Sequence, residues 1–219
     1  NNRHKENKTL VIPHSGYLGL NLLFQGTKIM LKIAVLASGS GSNAESLVRY
    51  FRDSDVASVK LIVTNNPKAG VIERAKRLNV DTHVFSPKTG SQEVLTILND
   101  HIDVVVLAGY LQMIPKEWTQ AFQGRMLNIH PSLLPRFGGK GMYGKHVHKA
   151  VSESGINETG ITIHLVNEAY DEGAVVAQYK VDIEPGAAPE IIEESVRELE
   201  LEYYGPTIER WIEQIALGN

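Results

Sequence analysis

The chain has 219 residues, enough for one domain with a full hydrophobic core, and it contains no cysteine. The lack of cysteine excludes a disulfide framework, a thiolate nucleophile and a cysteine-rich zinc site. The formal charge is −3, and the sequence has neither a long basic run nor an apolar run of about 18 residues. These features argue against nucleic acid and membrane as partners and predict a soluble, cytoplasmic protein.

Residues 1–29 differ in composition from the rest of the chain. The first residues are polar without periodicity, Leu22–Gly26 resembles a viral-protease cleavage site, and Met30 is the expected native start. We therefore predict a leader or added segment outside the fold over 1–29 and a single domain over 30–219. Residues 1–29 hold four Lys/Arg and one Glu, which leaves 18 basic and 24 acidic residues in the domain, a formal charge of −6.

The domain opens with a predicted strand, a tight loop and a helix. The apolar run Ile33–Ala37 is followed by Ser38–Asn43, which contains two glycines, and then by a helical pattern through Phe51. The glycines permit a sharp turn, Ser42 or Asn43 can cap the helix, and the free N–H groups of a helix start favour an anion. The pattern predicts a phosphate site or, as the alternative, only a tight turn. It matches neither the dinucleotide fingerprint nor a Walker loop.

Strands and helices continue to alternate along the chain. Strands that are continuous apolar runs, separated by helices, are typical of a mostly parallel sheet covered on both faces. We predict an α/β fold with three layers, a twisted, mostly parallel sheet between helices and a Rossmann-like N-terminal half. Ligands of such sheets gather beyond the carboxyl ends of the strands. The predicted strands are 59–64, 82–85 and 104–108, and the predicted helices are 69–78 and 92–100.

Two segments at predicted strand ends carry candidate site residues. The loop Gly109–Pro115 is apolar, which indicates either core packing or a pocket. In Leu127–Phe137, Asn128 and His130 lie two residues apart in an extended stretch, so their side chains project to the same side. An amide donor beside an imidazole suits acyl transfer, in which charge develops on a carbonyl oxygen and a proton moves. The alternative is a strand end with satisfied polar caps.

The segment after Pro135 contains four glycines between residues 136 and 144 and predicts a mobile loop that closes over the site. His146 and His148 follow at the start of a helix that runs to Ser154. Residues two apart on a helix face different sides, so we expect solvated or capping histidines and no shared metal.

The C-terminal part begins with two predicted strands, 160–165 and 175–183, joined by the acid-rich segment Asn167–Gly173. Three acids in seven residues are typical of a solvated turn. His164 is expected to be packed or partly exposed and not a ligand. The last element is a helix over 189–216, which Gly205–Pro206 is expected to kink or break.

The eight residues from Asn128 to Pro135, Asn-Ile-His-Pro-Ser-Leu-Leu-Pro, resemble the signature of the folate-dependent formyltransferases, most closely the branch that acts on glycinamide ribonucleotide. The resemblance runs from about Leu31 to the C-terminus. It implies that the N-terminal half holds the nucleotide phosphate and the C-terminal half holds folate and the catalytic groups. The implied catalytic residues are Asn128, His130 and Asp171; the implied ribonucleotide-binding residues are Gly41, Ser42, Asn43 and Glu200; the implied folate-binding residues are Leu111, Gln112, Met113, Ile114, Asn128, Asn167, Glu168, Ala169, Tyr170 and Asp171.

The resemblance implies direct transfer of a formyl group from 10-formyltetrahydrofolate to the amine of glycinamide ribonucleotide in purine (IMP) biosynthesis, without a metal or a covalent enzyme intermediate. Asn128 is expected to donate to the oxyanion and protonated His130 to supply a proton to N10. Asp171 is expected to keep His130 cationic and to accept or relay the amine proton. Relatives also have a cis peptide at the bond that matches Leu134–Pro135, so we predict one here.

The sequence departs from the family pattern at three positions. Relatives often have arginine where this chain has Gln112, commonly an aromatic residue or valine at the position of Leu165, and the proline one position before Pro206. The resemblance therefore carries over the backbone of Gln112 to the folate site and not its side chain.

Three other functions share features with this sequence. Methionyl-tRNA formyltransferase shares the eight-residue core but lacks the glycine loop and carries a further C-terminal domain. Formyltetrahydrofolate hydrolase usually adds an N-terminal regulatory domain and replaces the residue after the catalytic histidine, where this chain has Pro131. A nucleotide-binding module without catalysis is the third alternative. We expect small-molecule substrates, no nucleic acid or membrane partner, and a monomer or weak homodimer.

Overall fold

The computed structural model describes residues 9–10, 23–24, 27–28 and 30–216. The strands are β1 Thr9–Leu10, β2 Leu23–Phe24, β3 Thr27–Lys28, β4 Leu31–Leu36, β5 Ala57–Thr64, β6 Asp81–Val84, β7 Val104–Leu107, β8 Met126–His130, β9 Glu158–Leu165 and β10 Val175–Asp182. The helices are α1 Ser42–Tyr50, α2 Val71–Leu78, α3 Ser91–His101, α4 Lys116–Ala121, α5 Lys145–Ser154 and α6 Pro189–Ala216. These elements belong to two compact units.

The first unit comprises residues 14–127 and 205–219. Its strands β7, β4, β5 and β6 lie side by side in that order and all pair in parallel. Val35 of β4 pairs with Ile62 on one side and with Val106 on the other. All four residues of β7 are buried, as expected for a parallel strand covered on both faces. This confirms the predicted α/β class.

The second unit comprises residues 1–13 and 128–204. Here β9 and β10 form a long antiparallel pair, and β1 adds two residues to the other edge of β10. The ring of Tyr179 on β10 stacks on that of Tyr203 on α6, with centroids 4.1 Å apart. The strand β8 begins in the first unit, and its last three residues belong to the second.

The carboxyl ends of the parallel strands meet along one edge of the first unit. The N–H of Ala37 donates to the carbonyl of Val63 at 3.0 Å, and the N–H of Ala108 donates to that of Leu36 at 2.8 Å. The loops that follow β4, β5 and β7 therefore start beside one another. Ligands of open parallel sheets bind at such an edge.

The structure differs from the sequence analysis at two helices. The sequence analysis did not predict α4, whose six residues are too few to show a helical period. The helix α6 is neither ended nor divided at Gly205–Pro206, and it runs without interruption from Pro189 to Ala216. The predicted cis peptide at Leu134–Pro135 is present. No helix in the described part of the chain is long and apolar enough to span a bilayer.

Candidate active site

The end of β8 presents the two polar side chains that the sequence singled out. The strand ends at His130, directly before Pro131, which cannot donate to a strand ladder. His130 is buried, with 3% of its surface exposed, whereas Asn128 is partly accessible. Both belong to the second unit, which also holds Asp171. The three expected catalytic residues therefore lie within one compact unit.

Both ring nitrogens of His130 have neighbours. Its Nε2 lies 2.8 Å from the carbonyl oxygen of Phe137. Because a carbonyl only accepts, Nε2 carries a proton and donates it. The other nitrogen, Nδ1, lies 3.4 Å from Oδ2 of Asp171. The hydrogen bond to Phe137 thus fixes the ring orientation and leaves Nδ1 as the nitrogen that faces the carboxylate.

Burial lowers the pKa of His130 below its ordinary value, although the charge of Asp171 and the carbonyl of Phe137 both oppose this shift. A nearby His164 adds to the lowering. At neutral pH the ligand-free imidazole is therefore mainly neutral. This differs from the expected cationic state, because the loss of solvation outweighs the attraction of a carboxylate 3.4 Å away.

Asp171 is held by the two loops that meet around it. Its backbone is left-handed, with φ 57°, and the N–H of Gly139 donates to Oδ2 at 2.9 Å. Burial raises the pKa of its carboxyl, but contacts with His164, His130 and the Gly139 N–H outweigh burial, so the pKa lies below the usual range. Asp171 is consequently a carboxylate at neutral pH, with 12% of its side chain exposed.

His164 on β9 is a site residue that the sequence analysis missed. It is buried, in agreement with the expected packed position, and its Nδ1 lies 2.8 Å from the carbonyl of Leu165. Because the carbonyl accepts from Nδ1 and the amide nitrogen of Asn128 is a donor, Nε2 is the acceptor for that amide, 3.1 Å away. The same Nε2 is 3.6 Å from Oδ1 of Asp171.

This arrangement orients the amide of Asn128. An amide nitrogen has two protons, and His164 accepts one of them, so the other remains for a ligand. The one sequence signal for this role was the spacing of Thr162 and His164, two residues apart on one face of β9. Thr162 lies on the same face of β9, and its hydroxyl donates to the carbonyl of Ser132 at 2.7 Å.

The expected phosphate loop lies in the first unit. Gly41 has φ 78°, and a Cβ atom there would lie 2.5 Å from Cβ of Val71, so only glycine fits. The helix α1 starts at Ser42, and among the described residues no side chain caps its N-terminus. Its first N–H groups, together with Ser42 and Asn43, can therefore meet an anion.

Arg74 on α2 is a second residue that the sequence analysis missed. Its Nε donates to the carbonyl of Ser40 at 2.8 Å, and its guanidinium also pairs with Glu45. Arg49 and Arg77 face the same carboxylate, so three cations surround one anion beside the loop. The pKa of Glu45 is lowered by its hydrogen bonds to Arg49 and Arg74. The excess positive charge favours phosphate at this loop.

The expected folate residues fall into two groups. Leu111 and Met113 are 48% and 51% exposed in the first unit, and Gln112 beside them is exposed too, whereas Ile114 is buried. Large exposed apolar side chains on a loop are suited to an apolar ligand.

In the second unit, Asn167, Glu168, Ala169 and Tyr170 form an exposed turn that leads to Asp171. The Asn167 amide oxygen accepts from the N–H of Ala169 at 3.0 Å, which shapes this turn.

Glu200 lies partly buried on α6, and its charge is a secondary cause, after burial, of the raised pKa of Tyr204.

The two histidines of α5 differ in environment. His146 is exposed and makes an edge-to-face contact with Tyr143, at a centroid distance of 5.2 Å. His148 is 5% exposed, so the expectation that it is solvated was wrong, because this side of α5 faces the core. Among the residues that the structure describes, no group of three or more His, Asp or Glu side chains is arranged to hold a metal.

Comparison with known proteins gives consistent results. The formyl transferase family model matches residues 31–208. The chain is 43% identical over 182 residues to the chloroplastic phosphoribosylglycinamide formyltransferase of Arabidopsis thaliana, an alignment that covers 79% of this chain and 62% of that protein. It is 37% identical over 190 residues to the phosphoribosylglycinamide formyltransferase of Haemophilus influenzae, an alignment that covers 83% of this chain and 87% of that protein. The crystal structure of glycinamide ribonucleotide transformylase 1 from Geobacillus kaustophilus superposes with a TM-score of 0.77 at 40% identity. The superposition covers 84% of this chain and 100% of that chain.

Proposed function

The chain belongs to the formyl transferase family of enzymes, and from that premise we propose that it transfers a formyl group from 10-formyltetrahydrofolate to the primary amine of glycinamide ribonucleotide, a step of purine biosynthesis. The observation that carries the proposal is the group formed by Asn128, His130 and Asp171, which joins an oriented amide, a buried imidazole and a carboxylate. Acyl transfer needs an oxyanion donor and a proton acceptor in this arrangement.

The transfer forms a bond between the amine nitrogen and the formyl carbon and breaks the bond from that carbon to N10. Asn128 donates its remaining amide proton to the oxygen on which charge develops. His130, mainly neutral at the start, accepts a proton from the attacking amine at Nδ1 and returns a proton to the departing N10. Asp171 stabilises the imidazolium that exists between these steps, since an opposite charge within about 4 to 6 Å favours the charged form.

Two further groups of residues support the substrate assignment. The uncapped start of α1 and the surrounding arginines favour the phosphate of a ribonucleotide at Gly41, Ser42 and Asn43. We assign Leu111–Ile114, in which the side chains of Leu111 and Met113 are exposed, to folate. The turn 167–171 is also assigned to folate, and Glu200 is assigned to the ribonucleotide. We further propose that the protein is a monomer or weak homodimer and acts in the cytoplasm.

The test is an assay with the purified chain, 10-formyltetrahydrofolate and glycinamide ribonucleotide, in which formylated ribonucleotide and tetrahydrofolate are both measured. Equal amounts of the two products are expected. Release of formate without the amine would indicate a hydrolase instead, and binding without turnover would indicate a nucleotide-binding module.

Asp171→Asn tests the role of the carboxylate in the same assay. It removes the charge that stabilises the imidazolium, so turnover is expected to fall by about 10²-fold or more, with both substrates still bound. Glu172→Gln is the matched control, because Glu172 is an exposed acid in the next position. Equal activity of the two variants would overturn the assigned role of Asp171.

A further inference from the structure

Ser38, the residue before the glycine-rich loop, is hydrogen-bonded to the segments that follow two other strands of the first unit. Its hydroxyl donates to Oδ1 of Asn65 at 2.7 Å and accepts from the N–H of Leu111 at 3.0 Å. Its own N–H donates to the carbonyl of Gly109 at 3.0 Å, and the amide of Asn66 donates to its carbonyl at 3.2 Å. Ser38 is 7% exposed, so these bonds are shielded from water.

The roles in this network are fixed by the number of protons. A serine hydroxyl has one proton and two lone pairs, and Asn65 Oδ1 takes the proton. A lone pair is therefore directed at the Leu111 N–H. Without Asn65 the hydroxyl could rotate and would no longer be held as an acceptor for Leu111.

The segment from Gly109 to Met113 depends on these bonds. Leu111 and Met113 are about half exposed, so their side chains contribute little packing that could hold the backbone. Gly109 has φ 74°, a conformation that glycine adopts readily and that does not by itself confine the residues after it. The contacts to Ser38 hold the backbone at Gly109 and Leu111, where the side chains of Leu111 and Met113 provide little restraint.

We propose that Ser38, oriented by Asn65, is a positioning residue for folate: it holds the backbone of Gly109–Leu111 so that the exposed apolar side chains are presented to the pteridine ring. The inference rests on the proposed function, which assigns Leu111–Ile114 to folate. Ser38 acts through Leu111 and does not touch the reacting atoms.

The first test compares Ser38→Ala with Ser58→Ala. Ser58 is the matched control, because its buried hydroxyl on β5 has no hydrogen-bond partner among the described residues. In Ser38→Ala the KM for 10-formyltetrahydrofolate is expected to rise about tenfold, as for loss of one buried hydrogen bond, with kcat and the KM for the ribonucleotide changed less than about threefold. A fall in kcat alone, or an equal loss for both substrates, would overturn the inference.

The second test does not depend on activity. Loss of the Ser38 hydroxyl should speed amide hydrogen exchange at Leu111 about tenfold in the ligand-free protein and leave it unchanged in Ser58→Ala. Asn65→Leu should speed exchange at Leu111 as Ser38→Ala does. Asn65→Asp should keep the slow exchange of the wild type, because a carboxylate also accepts the hydroxyl proton.

The two proposals fail in different ways. Unchanged exchange at Leu111 in Ser38→Ala overturns the positioning role, whatever the wild-type protein catalyses. If the wild-type chain makes no formylated ribonucleotide, the proposed function is overturned, and the exchange measurement still reports whether Ser38 holds Leu111.

Discussion

At the scale of single residues, the chemistry depends on which nitrogen of His130 is available. The Phe137 carbonyl occupies Nε2, so proton transfer is assigned to Nδ1, where Asp171 lies 3.4 Å away. Asn128 is oriented in the same way, by the acceptor nitrogen of His164. Each group that takes part in the proposed reaction is therefore held by a neighbour that does not.

A mutant cycle tests the pair at the end of β8. Asn128→Ala is expected to lower kcat by about 10² to 10³, because an oxyanion donor acts mainly in the transition state. His130→Ala is expected to lower kcat by about 10² to 10⁴. The double variant should lose less than the product of the two single losses, since both groups serve one reaction step. Single-turnover formyl transfer at saturating substrates is the measurement, and near-normal turnover in Asn128→Ala would refute the assigned role.

His148 makes the stability of the fold depend on pH. Burial lowers its pKa, with a further lowering by His130 and an opposing effect of Glu193. The unfolded chain binds a proton at a pH near 6.5, but the folded chain binds it only at lower pH. His148 therefore contributes stability above about pH 6.5, and this contribution is lost as the pH falls through the folded pKa.

The variant that tests this effect is His148→Gln. The difference in melting temperature between pH 7 and pH 5 is expected to be smaller than in the wild type, whatever the absolute stability of the variant. His146→Gln, at an exposed position of the same helix, is the control and should keep the wild-type difference. If both variants show the wild-type difference, His148 does not contribute.

At the scale of elements, α6 continues through Gly205–Pro206 because its second half is anchored to α1 and to the turn that follows α1. The Tyr50 hydroxyl and the Ser54 hydroxyl donate to the two carboxylate oxygens of Glu209, at 2.6 and 2.8 Å. Gly205 lies against the Tyr50 ring, and a Cβ atom there would be 2.7 Å from its Cγ. Tertiary contacts thus outweigh the local preference of the Gly-Pro pair to end a helix.

Gly205→Ala tests this packing. In an exposed helix the change stabilises by about 1 kcal/mol, but here it is expected to destabilise by about 1 to 3 kcal/mol, because the Tyr50 ring is held by Glu209 and cannot move aside. Urea unfolding gives the value. In a Tyr50→Ala background the same change should become neutral or stabilising, and a stabilising effect in the wild-type background would refute the contact.

The glycines of the phosphate loop should differ in their tolerance of side chains. Gly41→Val should weaken ribonucleotide binding far more than folate binding, because it obstructs both the turn and the approach of a phosphate, and it should also lower stability through its contact with Val71. Gly39→Ala is the control, since a Cβ there meets nothing within 4 Å. Calorimetric titration with each substrate separates the two affinities, and equal losses of both would place the phosphate elsewhere.

At the scale of the whole molecule, we predict that the segment 1–29 lies outside the fold. Most of its residues lie outside the described residues, and β1 adds only Thr9 and Leu10 to the edge of β10. Removal of the segment before Met30 is expected to leave the activity unchanged and the melting temperature within a few degrees, since the sequence there has no periodic apolar face. A larger drop by differential scanning calorimetry would mean that the segment packs on the domain.

The sequence by itself determined the α/β class, nearly all of the elements from β4 to α6, and the three residues Asn128, His130 and Asp171 as candidates. It could do so because strand alternation, apolar runs and glycine turns are local properties, and because the eight-residue signature is contiguous. The sequence did not predict the short helix α4 or the continuity of α6 through Gly205–Pro206. The first has too few residues for a period, and the second depends on a partner far away in the chain.

Only the tertiary structure decided how the site residues are held and charged. The contacts of His164 with Asn128, of Arg74 with Ser40 and of Ser38 with Leu111 join residues 34 to 73 positions apart, and no local pattern encodes such pairs. The protonation state of His130 was also inaccessible, because its pKa reflects a balance between burial and the charge of Asp171. That balance is set by how many atoms surround the ring, which is a property of the packed fold and not of the chain order.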